Sequence, residues 1–160
     1  LTAKYPSIES EPFIEQFFIN YESAITVADK LPGVDELLHD AKSRGYLLAI
    51  VTASNDSQAQ AVVKKHGWEN IFDLVLTQDS FKTKKPSPAC YLMAAERLRV
   101  EPKECIVVED SKNGAQAGKN AGMYVIGVRA GNKHAQDLST ANQLVERLSD
   151  IKLEEAAGND

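Results

Sequence analysis

Along this chain, short apolar runs alternate with stretches in which apolar residues recur every three or four positions, the pattern of strands that each yield to a helix. Residues 47–51 (LLAIV), 74–76 (LVL), 105–108 (CIVV) and 124–128 (YVIGV) are too short for helices. Their apolar, largely β-branched content predicts strands buried on both faces of a parallel sheet. Between them, Val34, Leu37, Leu38 and Ala41 mark one helix face that Gly45 ends, and Ala59, Val62 and Val63 mark a second that stops at Gly67. Ser87 and Pro88 form an N-cap and first-turn pair for a third helix that buries Tyr91, Leu92, Ala95 and Leu98. A fourth helix starts at Ser111, is rich in the small residues Ala115, Ala117, Gly118 and Ala121, and stops at Gly122. Leu144, Val145 and Leu148 predict a closing helix, and residues 154–160 read as a frayed acidic tail. Ahead of the alternation, Ile14, Phe17, Phe18, Tyr21 and Ile25 lie on one face of an aromatic-rich helix, which reads either as part of a small accessory unit or as a packed terminal helix.

The fold class predicted is therefore α/β, a parallel sheet flanked by helices. At 160 residues one domain is expected, with room for a full core. A net charge of -5 and the lack of any basic stripe beyond the short cluster of Lys82, Lys84 and Lys85 exclude a nucleic-acid footprint. Cys90 and Cys105 fall on a helix and a strand without metal-ligand spacing, which suits a reducing cytoplasm. No apolar run approaches the roughly 18 residues needed to span a bilayer. A monomer is expected. His39, His66 and His134 have no paired nucleophile in the pattern and read as structural or surface residues.

Chemistry enters at the strand ends, where ligands bind in open α/β sheets. Thr52 follows the strand at 47–51, and its hydroxyl sits beside Ala53, Ser54 and Asn55, whose backbone N–H groups are about to enter a helix. That is a donor set suited to a phosphate oxygen, although a strand-terminating Thr and a capping Asn account for the same residues. Lys85 precedes Pro86, whose ring restricts the backbone and lets the ammonium be aimed, whereas Lys82 and Lys84 read as solvated charges. Glu109 and Asp110 are adjacent carboxylates at a strand end, where their repulsion is relieved by strong donors or by a hard cation such as Mg²⁺. Taken alone, the pair also reads as a helix cap with a solvated neighbour. Strands of one direction share one rim, so Thr52, Lys85 and Asp110 are expected to converge on a phosphate and Mg²⁺.

The ordered segments VTASN around Thr52, KPSP around Lys85 and VVEDSKNGAQAGKNAGM around Glu109 and Asp110 resemble the second, third and fourth motifs of the haloacid dehalogenase-like hydrolase superfamily. LPGVDELLHDAKSRGY and WENIFDLVLTQD point to its branch of β-phosphoglucomutase and sugar-phosphate phosphatases. The resemblance covers residues 31–151 and implies a Rossmann-like sheet and Mg²⁺-dependent phosphoryl transfer through an aspartyl-phosphate, with a small phosphorylated metabolite as substrate. It further implies that Thr52 hydrogen-bonds the transferring phosphoryl, Lys85 offsets its charge, Asp110 binds Mg²⁺, and Glu109 is a ligand or a ligand's neighbour.

The chain departs from that family in one respect: no strand ending in Asp-x-Asp, the family's first motif and source of its nucleophile, precedes Thr52. The expected organisation is a C-terminal remnant of a helical cap (1–30), an incomplete α/β core (31–153) and the tail. The first residue is Leu1 rather than Met, so the chain is expected to be part of a longer enzyme and not to turn over alone. In the family the absent strand lies between those ending at Val51 and Val108, so two half-sheets are expected to face each other across a gap. Competing readings weigh less. A signalling receiver domain places its phospho-accepting Asp before the Thr, and a dinucleotide-binding domain needs a G-x-G-x-x-G that does not occur. Phosphomutase chemistry, dehalogenation and a non-catalytic phosphate- or partner-binding relic are the remaining alternatives.

Overall fold

The computed structural model describes residues 29–130 and 136–153. The predicted N-terminal helix face, His134 and the acidic tail lie outside them. Elements follow in the order α1 (Val34–Ser43), β1 (Ala49–Val51), α2 (Asp56–Lys65), β2 (Leu74–Leu76), α3 (Ala89–Leu98), β3 (Ile106–Glu109), α4 (Lys112–Asn120), β4 (Tyr124–Val128) and β5 (Gln143–Val145). All strand pairs are parallel: Ile50 aligns with Val75, Val107 with Val125, and Gly127 with Leu144. The expected α/β architecture is present.

Among the described residues the strands form two separate sheets, β1-β2 and β3-β4-β5. Between the edge strands β1 and β3 lies an apolar cleft of about 590 Å³, walled also by Leu37 and Leu38 of α1 and Ala94 and Leu98 of α3. The core proper sits on either side of β4. On one face Val125 packs with Val107, Ala115, Ala117 and Tyr91; on the other Ile126 and Val128 pack with Ala41, Val145 and Ile151. Strand alternation sends neighbouring β4 side chains to opposite faces, so a continuous apolar run serves both layers. The small residues of α4 have a clear role here. A Cβ at Gly118 would stand 2.7 Å from a Val125 methyl, so the helix can lie this close to the sheet only with glycine there.

Four readings need correction. The closing helix is instead β5 followed by a 3₁₀ turn at Leu148–Asp150. Asn142 exchanges hydrogen bonds with Val125, its N–H donating at 2.8 Å and its Oδ1 accepting at 3.0 Å, which lays the following residues along the β4 edge. Leu144 then points out and Val145 in, a period of two where a helix was expected. The third helix begins at Ala89, with Pro88 ahead of it and Ser87 Oγ accepting only a long 3.4 Å bond from the Ala89 N–H. Leu92, expected on the buried face of this helix, is 41% exposed. Finally, β1 and β3 are not buried on both faces: no residue of β1 is fully buried. Val108 is 40% exposed because it faces the cleft.

Candidate functional site

Thr52 ends β1 with its N–H donated to Leu76 O at 2.9 Å. Its Oγ1 accepts the Ser54 N–H at 3.1 Å, which leaves the hydroxyl proton free to point outward. Asn55 caps α2: its Oδ1 accepts the Gln58 N–H at 2.9 Å, and Gln58 Oε1 accepts the Asn55 N–H at 3.2 Å. The turn therefore spends the N–H groups of Ser54 and Asn55 on its own geometry, while Ala53 is exposed at the rim. Of the phosphate donors expected here, the Thr52 hydroxyl is one side-chain donor that remains available.

Lys85, on a cis Lys85–Pro86 peptide, reaches across the cleft. Its Nζ donates to Val51 O at 3.2 Å, to Tyr91 Oη at 2.8 Å and to Glu109 Oε1 at 2.5 Å. An ammonium has three protons, and each has an acceptor. One contact lies beside Thr52 and another beside Asp110, so the ends of both half-sheets are brought together at this cation. Lys82 and Lys84 are exposed.

Glu109 is held as tightly. Its Oε1 accepts from Lys85 and from the Tyr91 hydroxyl at 2.7 Å; its Oε2 accepts from Ser111 Oγ at 2.8 Å and Ser111 N at 3.3 Å. A carboxylate offers about four lone-pair sites, and four donors occupy them. Burial pushes its pKa up, but the Lys85 ammonium and the bonds from Tyr91 and Ser111 outweigh this and hold it below 4.5. The carboxylate lies against Gly114, where a Cβ would stand only 2.0 Å from Glu109 Cδ. Ser111 caps α4 by accepting the Gly114 N–H at 3.0 Å, so cap, glycine and carboxylate form one packed unit.

Asp110, next along, is exposed. Mg²⁺ is commonly bound by one or two carboxylates with water and phosphate completing its octahedron. Asp110 fits as one such ligand, while the four donors on Glu109 tie it to the lysine. Among the described residues no group of three or more His, Cys, Asp or Glu side chains is placed to hold a metal ion, so Asp110 does not form a complete site with its neighbours.

Tyr91 was missed as a site residue, since its position in the apolar face of α3 accounts for it as core. A signal existed: a buried phenol needs a partner, and this one lies on the first turn of the helix that the Lys-Pro segment leads into. Burial and the adjacent Glu109 carboxylate raise its pKa far above the ordinary tyrosine value, so it stays a donor.

A family model described as haloacid dehalogenase-like hydrolase matches residues 2–122. The bifunctional riboflavin kinase/FMN phosphatase of Arabidopsis thaliana is 32% identical over 145 residues, covering 90% of this chain and 38% of that protein. The phosphoglycolate phosphatase of Psychrobacter arcticus is 37% identical over 111 residues, 69% of this chain and 48% of the relative. Among solved structures, β-phosphoglucomutase from Clostridium difficile superposes with a TM-score of 0.73 at 33% identity, over 88% of this chain and 60% of that one. The chain thus spans 38% and 48% of the length of the two curated relatives.

Proposed function

The chain belongs to the haloacid dehalogenase-like hydrolases, and on that basis we propose that it is the phosphoryl-handling part of a Mg²⁺-dependent phosphatase acting on a small phosphorylated metabolite of the sugar-phosphate kind. The observation that carries this reading is Lys85, bonded at once to the end of β1 beside Thr52 and to Glu109 beside Asp110. A fixed cation between a free hydroxyl and an exposed carboxylate suits a phosphoryl group better than any neutral substrate, because this chemistry depends mainly on positioning and charge stabilisation.

In this reading the Thr52 hydroxyl donates to a phosphoryl oxygen, the exposed Ala53 backbone lines the same rim, and Ser54 and Asn55 shape the turn that presents them. Lys85 offsets the charge that builds on the phosphoryl oxygens, and Glu109 holds Lys85 in place. Asp110 contributes a ligand to Mg²⁺, which when bound would neutralise further phosphoryl charge. The nucleophilic carboxylate, and the aspartyl-phosphate formed on it, belong to polypeptide outside these 160 residues, which are inactive alone. The reading also takes the parent to be a cytoplasmic monomer.

A phosphatase screen over sugar phosphates on the full-length protein, with and without Mg²⁺, tests this directly. Asp110→Ala should abolish Mg²⁺-dependent hydrolysis of a generic aryl phosphate while Lys82→Ala hardly changes it; equal activity in the Asp110 variant removes the metal assignment. The likeness to β-phosphoglucomutase favours a second reading, in which a sugar hydroxyl replaces water as acceptor. Release of an isomerised sugar phosphate in place of inorganic phosphate would select it. Phosphate binding without turnover by the full-length protein would select the relic reading.

A further inference from the structure

We propose that Tyr91 is the positioning residue that aims Lys85, acting through its hydroxyl. A lysine side chain is long and freely rotating, and a single acceptor leaves its ammonium free to swing about that contact. Three contacts fix a tetrahedral nitrogen. Of the three acceptors here, Val51 O is a neutral carbonyl at 3.2 Å, the longest of the set. Glu109 supplies charge but, alone, little direction.

Tyr91 supplies the direction. Its hydroxyl accepts from Lys85 at 2.8 Å and donates at 2.7 Å to Glu109 Oε1, the same oxygen Lys85 bonds, so ammonium, phenol and carboxylate close a ring of hydrogen bonds. The ammonium also sits 4.6 Å from the centre of the Tyr91 ring, beside its oxygen-bearing edge. The ring itself is anchored, only 7% exposed and packed with Cys90, Ala95 and Val107. With Tyr91 and Glu109 fixed, the Val51 bond is the one Lys85 can trade for a phosphoryl oxygen without leaving its place.

The aiming of Lys85 stands independently of the phosphatase reading; its consequence for turnover rests on that reading. The test uses the full-length protein and its Tyr91→Phe variant, which keeps the ring and its volume but removes the hydroxyl. Acylation of lysines by an amine-reactive ester, followed by mass spectrometry, reports how firmly Lys85 is held against the exposed Lys82 and Lys84 in the same molecule. Lys85 should be the slowest of the three. In Tyr91→Phe its labelling should rise roughly five- to tenfold, the scale of one lost hydrogen bond, with Lys82 and Lys84 unchanged. Leu98→Ala, which loosens the same helix away from the triangle, should leave Lys85 protected. On an aryl phosphate, Tyr91→Phe should lower kcat with little change in KM. Wild-type labelling of Lys85 in Tyr91→Phe, or equal deprotection by Leu98→Ala, overturns the proposal. If the full-length protein hydrolyses nothing, the phosphatase reading fails, and the labelling alone still decides the role of Tyr91.

Discussion

The two half-sheets have similar sequences and different fates. β4 is flanked by β3 and β5 and has helices over both faces, and four of its five residues are buried. β1, with the equally apolar Ala49, Ile50 and Val51, has β2 on one side and the cleft on the other, and none of its three residues is buried. An apolar side chain is buried by its neighbours, and a strand with one neighbour keeps part of its surface in water however apolar it is. The site lies on the seam between the closed half and the open one, with Lys85 as the bond that crosses it.

The largest expected effect is on the isolated 160 residues. Backbone groups along the β1 and β3 edges that are shielded from water without a partner cost about 1–3 kcal/mol each. The β1-β2 half should therefore open below the global unfolding transition, its amides exchanging on the order of a hundredfold faster than those of Val125 and Ile126. A single sharp transition with equal protection in both halves would erase the distinction.

Side-chain truncation should divide the halves in the same way. Ile126→Ala, at a fully buried position, should cost roughly 2–5 kcal/mol in urea unfolding, and Ile50→Ala about 1 kcal/mol. At the seam, Gly114→Ala forces a methyl into the Glu109 carboxylate and should displace it from Lys85, costing about 1–3 kcal/mol. The Lys85 acylation rate would register that displacement even where the melting temperature moved little.

Acid should act on the seam next. Glu109 has a folded pKa below its ordinary 4.5, so the unfolded chain binds its proton first as pH falls. Its stabilisation is complete above about 4.5 and is lost as pH drops through the lower folded value. Glu109→Gln should flatten that part of the stability profile; an unchanged acid limb would assign it to other carboxylates. The smallest effect belongs to the open half. Asp73 accepts the Leu48 N–H at 2.8 Å and pairs with Lys42 at 3.0 Å near the surface, so Lys42→Ala should cost under about 1 kcal/mol and less in high salt.

Much of this was legible along the chain because local rules and tertiary structure agree. Gly45, Gly67 and Gly122 stop their helices with φ of 83°, 70° and 76°, a backbone region that side chains with a Cβ resist. The strand and helix alternation followed from apolar periodicity alone. What escaped depended on distant partners. Leu144, Val145 and Leu148 suit a helix face until Asn142 is bonded to Val125, and Val108 reads as buried unless the occupancy of its far side is known. At the site, the lysine and the acidic pair announce themselves as charges in an apolar setting. Tyr91 does not, because its ring satisfies the core pattern and only its hydroxyl takes part in the chemistry.

The cleft has a consequence for how the protein behaves in a crowded tube. Two raw strand margins bordered by greasy walls, with Leu47 and Val108 showing, form a template onto which any stray extended segment can zip. Clumping should thus rise steeply with concentration for these 160 residues and ease when a short soluble peptide of alternating Val and Thr is added as a decoy.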